Sequence, residues 1–169
     1  MRNLSIAAVA TVFTLLALST EAQEGAVTVI SPVPFAEDSG ATSNVKADCT
    51  LETRLPKFIE DYSKKGVAVV IGDDPGEASG GKVLRLEFTN VHGPGGGAWS
   101  GPKLVTVEGT LTDNGEVIGS FIGTRYSGGG AFGGYKGTCS ILGRCIKALG
   151  KDIAAWLKNP TMDALLGDA

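Results

Sequence analysis

The spacing of apolar residues changes period several times along this chain, and each change marks an expected element. In "AVTVISPVPF", Val27, Val29 and Val33 alternate with small or polar residues, which predicts a strand. Pro32 and Pro34 should end it, because proline cannot donate to a ladder. The polar stretch "AEDSGATSNVKAD" reads as an exposed loop. In "CTLETRLPKFIEDYSKKG", Leu51, Leu55, Phe58, Ile59 and Tyr62 fall on one helical face. Pro56 lacks the amide that an interior helical position needs, so the regular helix is expected to start near Leu55–Pro56, with Gly66 as its stop. The β-branched run "VAVVIG" predicts a buried central strand. "DDPGEASGG" is turn material.

The second half is more regular. "KVLRLEFTNV" alternates, with Leu84, Leu86 and Phe88 on one face. "KLVTVEGTLTDNGEVIGSFIGTRY" carries two alternating runs around Asp113-Asn114-Gly115, a strong hairpin signal because Asn and Gly accept positive φ. Leu142, Ile146, Leu149, Ile153 and Trp156 repeat at intervals of four and three, predicting an amphipathic helix with Thr138 as N-cap and Asn159-Pro160 as stop. Residues 159–169 are expected to trail along the surface. The order β-α-β-β-β-β-α implies an α+β two-layer sandwich: a mostly antiparallel sheet with both helices on one face, its first strand pairing in parallel with the second through a helical crossover.

The first 24 residues add a destination. Arg2, an apolar run from Leu4 to Leu18 and small residues at Thr20 and Ala22 match a secretory signal peptide cleaved after Ala22. The apolar run is about 15 residues, short of the ~20 that cross a bilayer. The remaining residues, 23–169, suit one α+β domain with no membrane span, in the periplasm or secreted. The net charge of −3 has no like-charge blocks, so neither a nucleic-acid footprint nor a polybasic membrane patch is present.

An oxidising destination makes disulfides possible for Cys49, Cys139 and Cys145. Six residues along one helix separate Cys139 from Cys145 by about 9 Å, beyond the ~7 Å that a bridge tolerates between Cα atoms. Cys49–Cys139 is the expected bridge, since both lie where a loop meets a helix, though Cys145 stays open as the partner of Cys49. Cys145 falls on the apolar stripe and reads as a small buried hydrophobe.

Candidate chemistry is sparse. His92 is the single histidine, in "NVHGPGGG", and reads as an exposed loop residue. No G-x-S-x-G and no ligand-spaced cluster of His, Cys, Asp and Glu occurs. Asp73-Asp74 precede a turn, while Glu60-Asp61 and Glu108 read as solvated faces, so no carboxylate pair suggests acid–base work. Gly128–Gly133 satisfies G-x-G-x-x-G, but its strand belongs to an antiparallel hairpin and no strand follows to carry a ribose-binding acid, so neither a dinucleotide nor any other cofactor is expected.

Two glycine-rich loops keep two readings open. Gly93–Gly97 lies beside Trp99, and Gly128–Gly134 holds Gly129, Gly130, Phe132 and Gly133 next to Tyr135. If they meet at one end of the sheet, they offer a ligand or partner surface. Otherwise they are connectors with the aromatics tucked against the core.

Three stretches, "NVKADCTLETRLPKFI", "VTVEGTLTDNGEVIGSF" and "GAFGGYKGTCSILGRCIKALGKDIAAWL", carry a resemblance to uncharacterised exported proteobacterial proteins with a lipoprotein-type domain of unknown function. That resemblance implies a small envelope α+β domain and no particular substrate. The chain lacks the lipid-modified N-terminal cysteine that many such proteins have. The expected function is an exported, non-enzymatic binding or interaction domain whose partner is an envelope protein or a small ligand. The alternative is a small hydrolase or thiol enzyme using His92 or Cys145.

Overall fold

A computed structural model describes residues 25–74, 76, 80–128 and 135–169. Along these residues run β1 (Val27–Ile30), α1 (Ser43–Asp48), α2 (Leu51–Ser63), β2 (Val69–Gly72), β3 (Lys82–His92), a 3-10 turn (Gly97–Ser100), β4 (Lys103–Asp113), β5 (Glu116–Ser127), α3 (Thr138–Trp156) and β6 (Ala164–Gly167). The six described strands form one mixed sheet in the order β2-β1-β3-β4-β5-β6. The fold is α+β, as the apolar periodicity predicts. The long ladders β3–β4 and β4–β5 are antiparallel, while β1–β2, β1–β3 and β5–β6 are short and parallel.

The β4–β5 hairpin turns where expected: Asn114 and Gly115 take φ of 50° and 86°, the left-handed pair of a two-residue turn. In-phase residues of the strands face the helices. Val29, Leu84, Phe88, Val105, Val107 and Phe121 join Leu51, Leu55 and Ile59 of α2 and Leu142, Ile146, Leu149 and Ile153 of α3 in a single buried cluster. The two helices approach closely at Gly150, where an added Cβ would lie 2.6 Å from the Phe58 Cβ and 3.1 Å from its carbonyl carbon.

Several expectations are corrected. Helix α2 begins at Leu51 and contains Pro56. The carbonyl that Pro56 cannot bond, that of Glu52, accepts instead from the Val33 amide at 3.0 Å, so the acceptor is satisfied from outside the helix. Tyr62 stands exposed at the end of that helix while Ser63 is buried. Strand β2 is an edge, not a central strand, and Val70 and Ile71 are exposed. The segment expected to be loop holds α1, whose Thr42 cap accepts from the Val45 amide at 3.3 Å.

A further correction concerns the C-terminal segment, which adds β6 to the sheet. The Asp168 amide donates to the Thr124 carbonyl at 2.8 Å. Arg125 grips Asp152 of α3 through Nε at 2.8 Å and Asp168 through Nη1 at 2.9 Å. These paired charges hold Arg125 above its ordinary pKa, the Asp152 hydrogen bond being the largest cause.

At α3 the apolar stripe is buried as predicted, but the cap is Gly137. Thr138 Oγ1 donates to the Pro94 carbonyl at 2.9 Å, which turns its hydroxyl toward the β3–β4 loop.

Candidate functional site

The ends of β3 and β5 deliver both glycine-rich connections to the same end of the sheet. Residues 129–134, including Gly129, Gly130, Phe132 and Gly133, lie outside the described residues. What is described shows the two connections in contact. Gly97, at φ 58°, lies so close to the Lys136 carbonyl that a side chain would collide with it. Gly93 faces Leu142, and a Cβ there would sit 2.8 Å from that side chain. Among the described residues, the Gly93–Gly97 loop thus meets the Lys136–Gly137 segment and the start of α3.

The two described aromatics of these connections do not tuck in. Trp99 is 86% exposed and Tyr135 is 92% exposed. Tyr126, at the end of β5 in the same region, is exposed too. Protruding Trp and Tyr carry large apolar area with little rotamer entropy, which is why such side chains anchor interfaces.

Two open depressions flank this end. One, of about 260 Å³, lies between α1 and the loops and includes Thr42, Asn44, Asp48, Gly93, Thr138 and the Cys49–Cys139 pair. The other, of about 370 Å³, lies on the outer face and is lined by Asn90, His92, Ser100, Pro102, Leu104 and Tyr126. His92 is exposed, as expected, though as the last residue of β3 rather than in the loop, and it shares that depression with Ser100.

Cys49 and Cys139 form the expected disulfide, with Cα atoms 4.8 Å apart. Cys145 is free and buried. Burial, the largest cause, pushes its pKa up to about 11. The thiolate is the reactive form, so a thiol reagent at pH 8 finds a fraction on the order of one part in a thousand. Folded protein is expected to show no fast-reacting thiol toward Ellman's reagent, and one equivalent after denaturation. Rapid reaction of the folded protein would revive a thiol role. Among the described residues, no group of three or more His, Cys, Asp or Glu could hold a metal ion.

No protein-family model matches this chain, and no curated protein does. Two solved structures resemble it in overall arrangement. One is a dodecamer of a point variant of PelC from Paraburkholderia phytofirmans, at 19% identity and a TM-score of 0.46, covering 77% of this chain and 89% of that one. The second, another PelC dodecamer crystal from the same organism, has 19% identity and a TM-score of 0.44, covering 76% and 87%. At that distance no residue role transfers.

Of the carboxylates singled out in the sequence, Asp74, Glu60 and Asp61 sit in surface ion pairs. Asp74 accepts from Arg85 at 2.7 Å and from the Gly76 amide at 2.9 Å, and these contacts, Arg85 first, lower its pKa. Glu60 and Asp61 pair with Lys57 and Lys64.

Sequence reasoning passed over one residue at this end. Lys103 opens β4 in phase with Val105 and Val107, and like them it is buried, at 0% exposure. The in-phase position was the signal that could have found it.

Proposed function

We propose that this chain is an exported envelope protein of the lipoprotein-type kind, and that it works as a binding domain through the loop-bearing end of its sheet. The observation that carries this reading is the near-complete exposure of Trp99 and Tyr135 on two connections that touch each other. The signal-like N-terminus and the disulfide support an oxidising destination. No helix among the described residues is long and apolar enough to cross a membrane.

The shape favours an envelope protein over a small ligand. Small-molecule sites are concave and bury most of their ligand. Trp99 and Tyr135 line neither of the two depressions and project outward from them, so whatever these two side chains bind must supply the concave side.

The test is a photo-crosslinking residue at position 99 or 135 of the exported protein, with position 62 on α2 as an exposed control. Discrete adducts from 99 and 135, absent from 62, are expected in the envelope fraction. Trp99→Ala with Tyr135→Ala should weaken capture of the identified partner by about thirtyfold, the effect of losing a 2 kcal/mol anchor. Identical adducts from all three positions, or none, would reject the surface.

A further inference from the structure

Lys103 presents an unusual chemical situation. A buried ammonium normally faces a carboxylate or several acceptors, because transfer from water is costly. Among the described residues, the Lys103 Nζ has one hydrogen-bond partner, the Ser100 Oγ, at 2.7 Å. Burial lowers the lysine pKa below its ordinary value. The loop chemistry explains how the pair meets. Ser100 closes the 3-10 turn, Gly101 reverses the chain at φ 87°, and Lys103 re-enters the sheet facing inward.

Ser100 itself is exposed and lines the outer depression with Asn90, His92, Leu104 and Tyr126. Its Oγ also lies 3.0 Å from the Gly97 carbonyl and 3.3 Å from the Pro94 carbonyl. One hydroxyl hydrogen serves these neighbours. With a charged lysine, Oγ accepts from Nζ and the hydrogen goes to a carbonyl. With a neutral lysine, the hydrogen can turn to the Nζ lone pair. A hydroxyl on an exposed residue, within reach of a desolvated amine, stands to it as a nucleophile to its general base.

We propose that Ser100 is an acyl-accepting nucleophile and Lys103 its general base, acting on small carboxylic esters held against Leu104 and Tyr126. In the first step the Ser100 Oγ bonds to the ester carbonyl carbon while its proton passes to Nζ. The carbon–oxygen bond to the alcohol then breaks, and the departing alkoxide takes that proton from Nζ. In the second step water attacks the acyl-serine, Nζ takes the water proton, and the Ser100 oxygen leaves with it as the free hydroxyl. Ester and water become acid and alcohol, with serine and lysine restored. Asn90 and His92 bring donor groups to the same depression, where negative charge on the carbonyl oxygen would develop.

The inference goes beyond the binding reading and replaces the non-enzymatic expectation for this corner of the molecule. It does not need the crosslinked partner, so the two can fail separately. Among the described residues, the titratable groups around the pair are His92 and Tyr126 in the depression, Lys136 on the adjoining loop, and Cys145 on α3, whose thiol donates to the Lys103 carbonyl at 3.8 Å.

The experiment treats the purified full chain with a fluorophosphonate, whose P–F bond breaks as the serine O–P bond forms, and locates the adduct by peptide mass. Turnover of p-nitrophenyl acetate is followed in parallel. The expected result is an adduct on Ser100, lost in Ser100→Ala and slowed about 100-fold in Lys103→Met, the range of a general base. If Lys103→Met fails to fold, the wild-type pH profile decides. The labelling rate should rise with pH to a midpoint below the ~10.4 of a free lysine, and keep that midpoint in His92→Gln. Absence of the Ser100 adduct, an undiminished rate in folded Lys103→Met, or a flat profile overturns the assignment.

Discussion

Replacing Cys49 and Cys139 together by alanine is expected to lower stability by about 4–5 kcal/mol, and the melting temperature by roughly 10–20 °C. The bridge joins residues 90 apart in sequence. In the chain-entropy account, its main action is on the unfolded chain, which gains many conformations once a loop of that length is opened. The folded state also depends on it locally. Cys49 ends α1, Thr50 then takes φ 48°, and α2 begins at Leu51. A β-branched residue in the left-handed region is unfavourable by about 1–2 kcal/mol, so the turn must be held by its surroundings. The bridge anchors that turn to the start of α3, and Arg54 adds a hydrogen bond from Nη1 to the Cys49 carbonyl at 3.2 Å. Urea unfolding of the double variant, compared with native protein at equal concentration, measures the loss. Reduction of native protein should reproduce most of it without touching Cys145. A difference under about 1 kcal/mol would mean that the unfolded chain stays compact without the bridge.

Legibility in the sequence followed the range of the forces. The β4–β5 hairpin and the α3 stripe are set by neighbours a few residues apart, and both were readable. The same holds for the inward row Leu84, Leu86 and Phe88. Helix α2 was readable as a face but not as a span, because what rescues Pro56 is the amide of Val33, which packs there only in the folded chain. Strand β6 has four residues and little pattern. It is fixed by distant groups, such as Asp163 Oδ1 accepting from Ser120 Oγ at 3.0 Å. Strand β2 is apolar enough for a centre yet lies at an edge, because β1 places β3 on its other side.

The candidate site divides in the same way. Glycine-rich composition marked both loops, but composition does not say whether Trp99 and Tyr135 point in or out. That depends on the meeting of Gly97 with Lys136 across the two connections. Lys103 sat in phase with an apolar row, and its charge masked the implication. Its partner Ser100 lies three residues earlier, in a stretch that reads only as a loop.

Phe121→Ala is expected to cost about 3–5 kcal/mol, the range for removing a buried aromatic. The neighbourhood of this ring is built around it. On the inward face of β5 the alternate positions are Gly119, Phe121 and Gly123. Gly109 sits directly opposite in the β4 ladder, and the ring covers it so closely that no Cβ would fit. Gly119 admits the Trp156 indole, where a Cβ would lie 2.8 Å from the ring, and Gly123 admits Leu149 at 3.1 Å. Phe121 then meets Trp156 edge to face, with centroids 4.8 Å apart and planes at 68°. With glycines on both flanks and opposite, no Cβ of these strand neighbours reaches into the space left by alanine, and Trp156 and Leu149 are already seated over Gly119 and Gly123. The cavity therefore persists, and the loss should fall toward the upper end of the range. Trp156, otherwise buried, should shift its emission to the red as water reaches its edge. Exposed Trp99 contributes a constant background, which Trp99→Phe removes. Placing valine at Gly109 in the Phe121→Ala background should recover part of the loss, whereas Gly109→Val alone should destabilise by overpacking. A double-mutant cycle with coupling of at least about 1 kcal/mol is expected from that reversal of sign. Additive effects would mean that the ring and the glycine beneath it act independently, and that the small residues on β5 serve the helix rather than the phenylalanine.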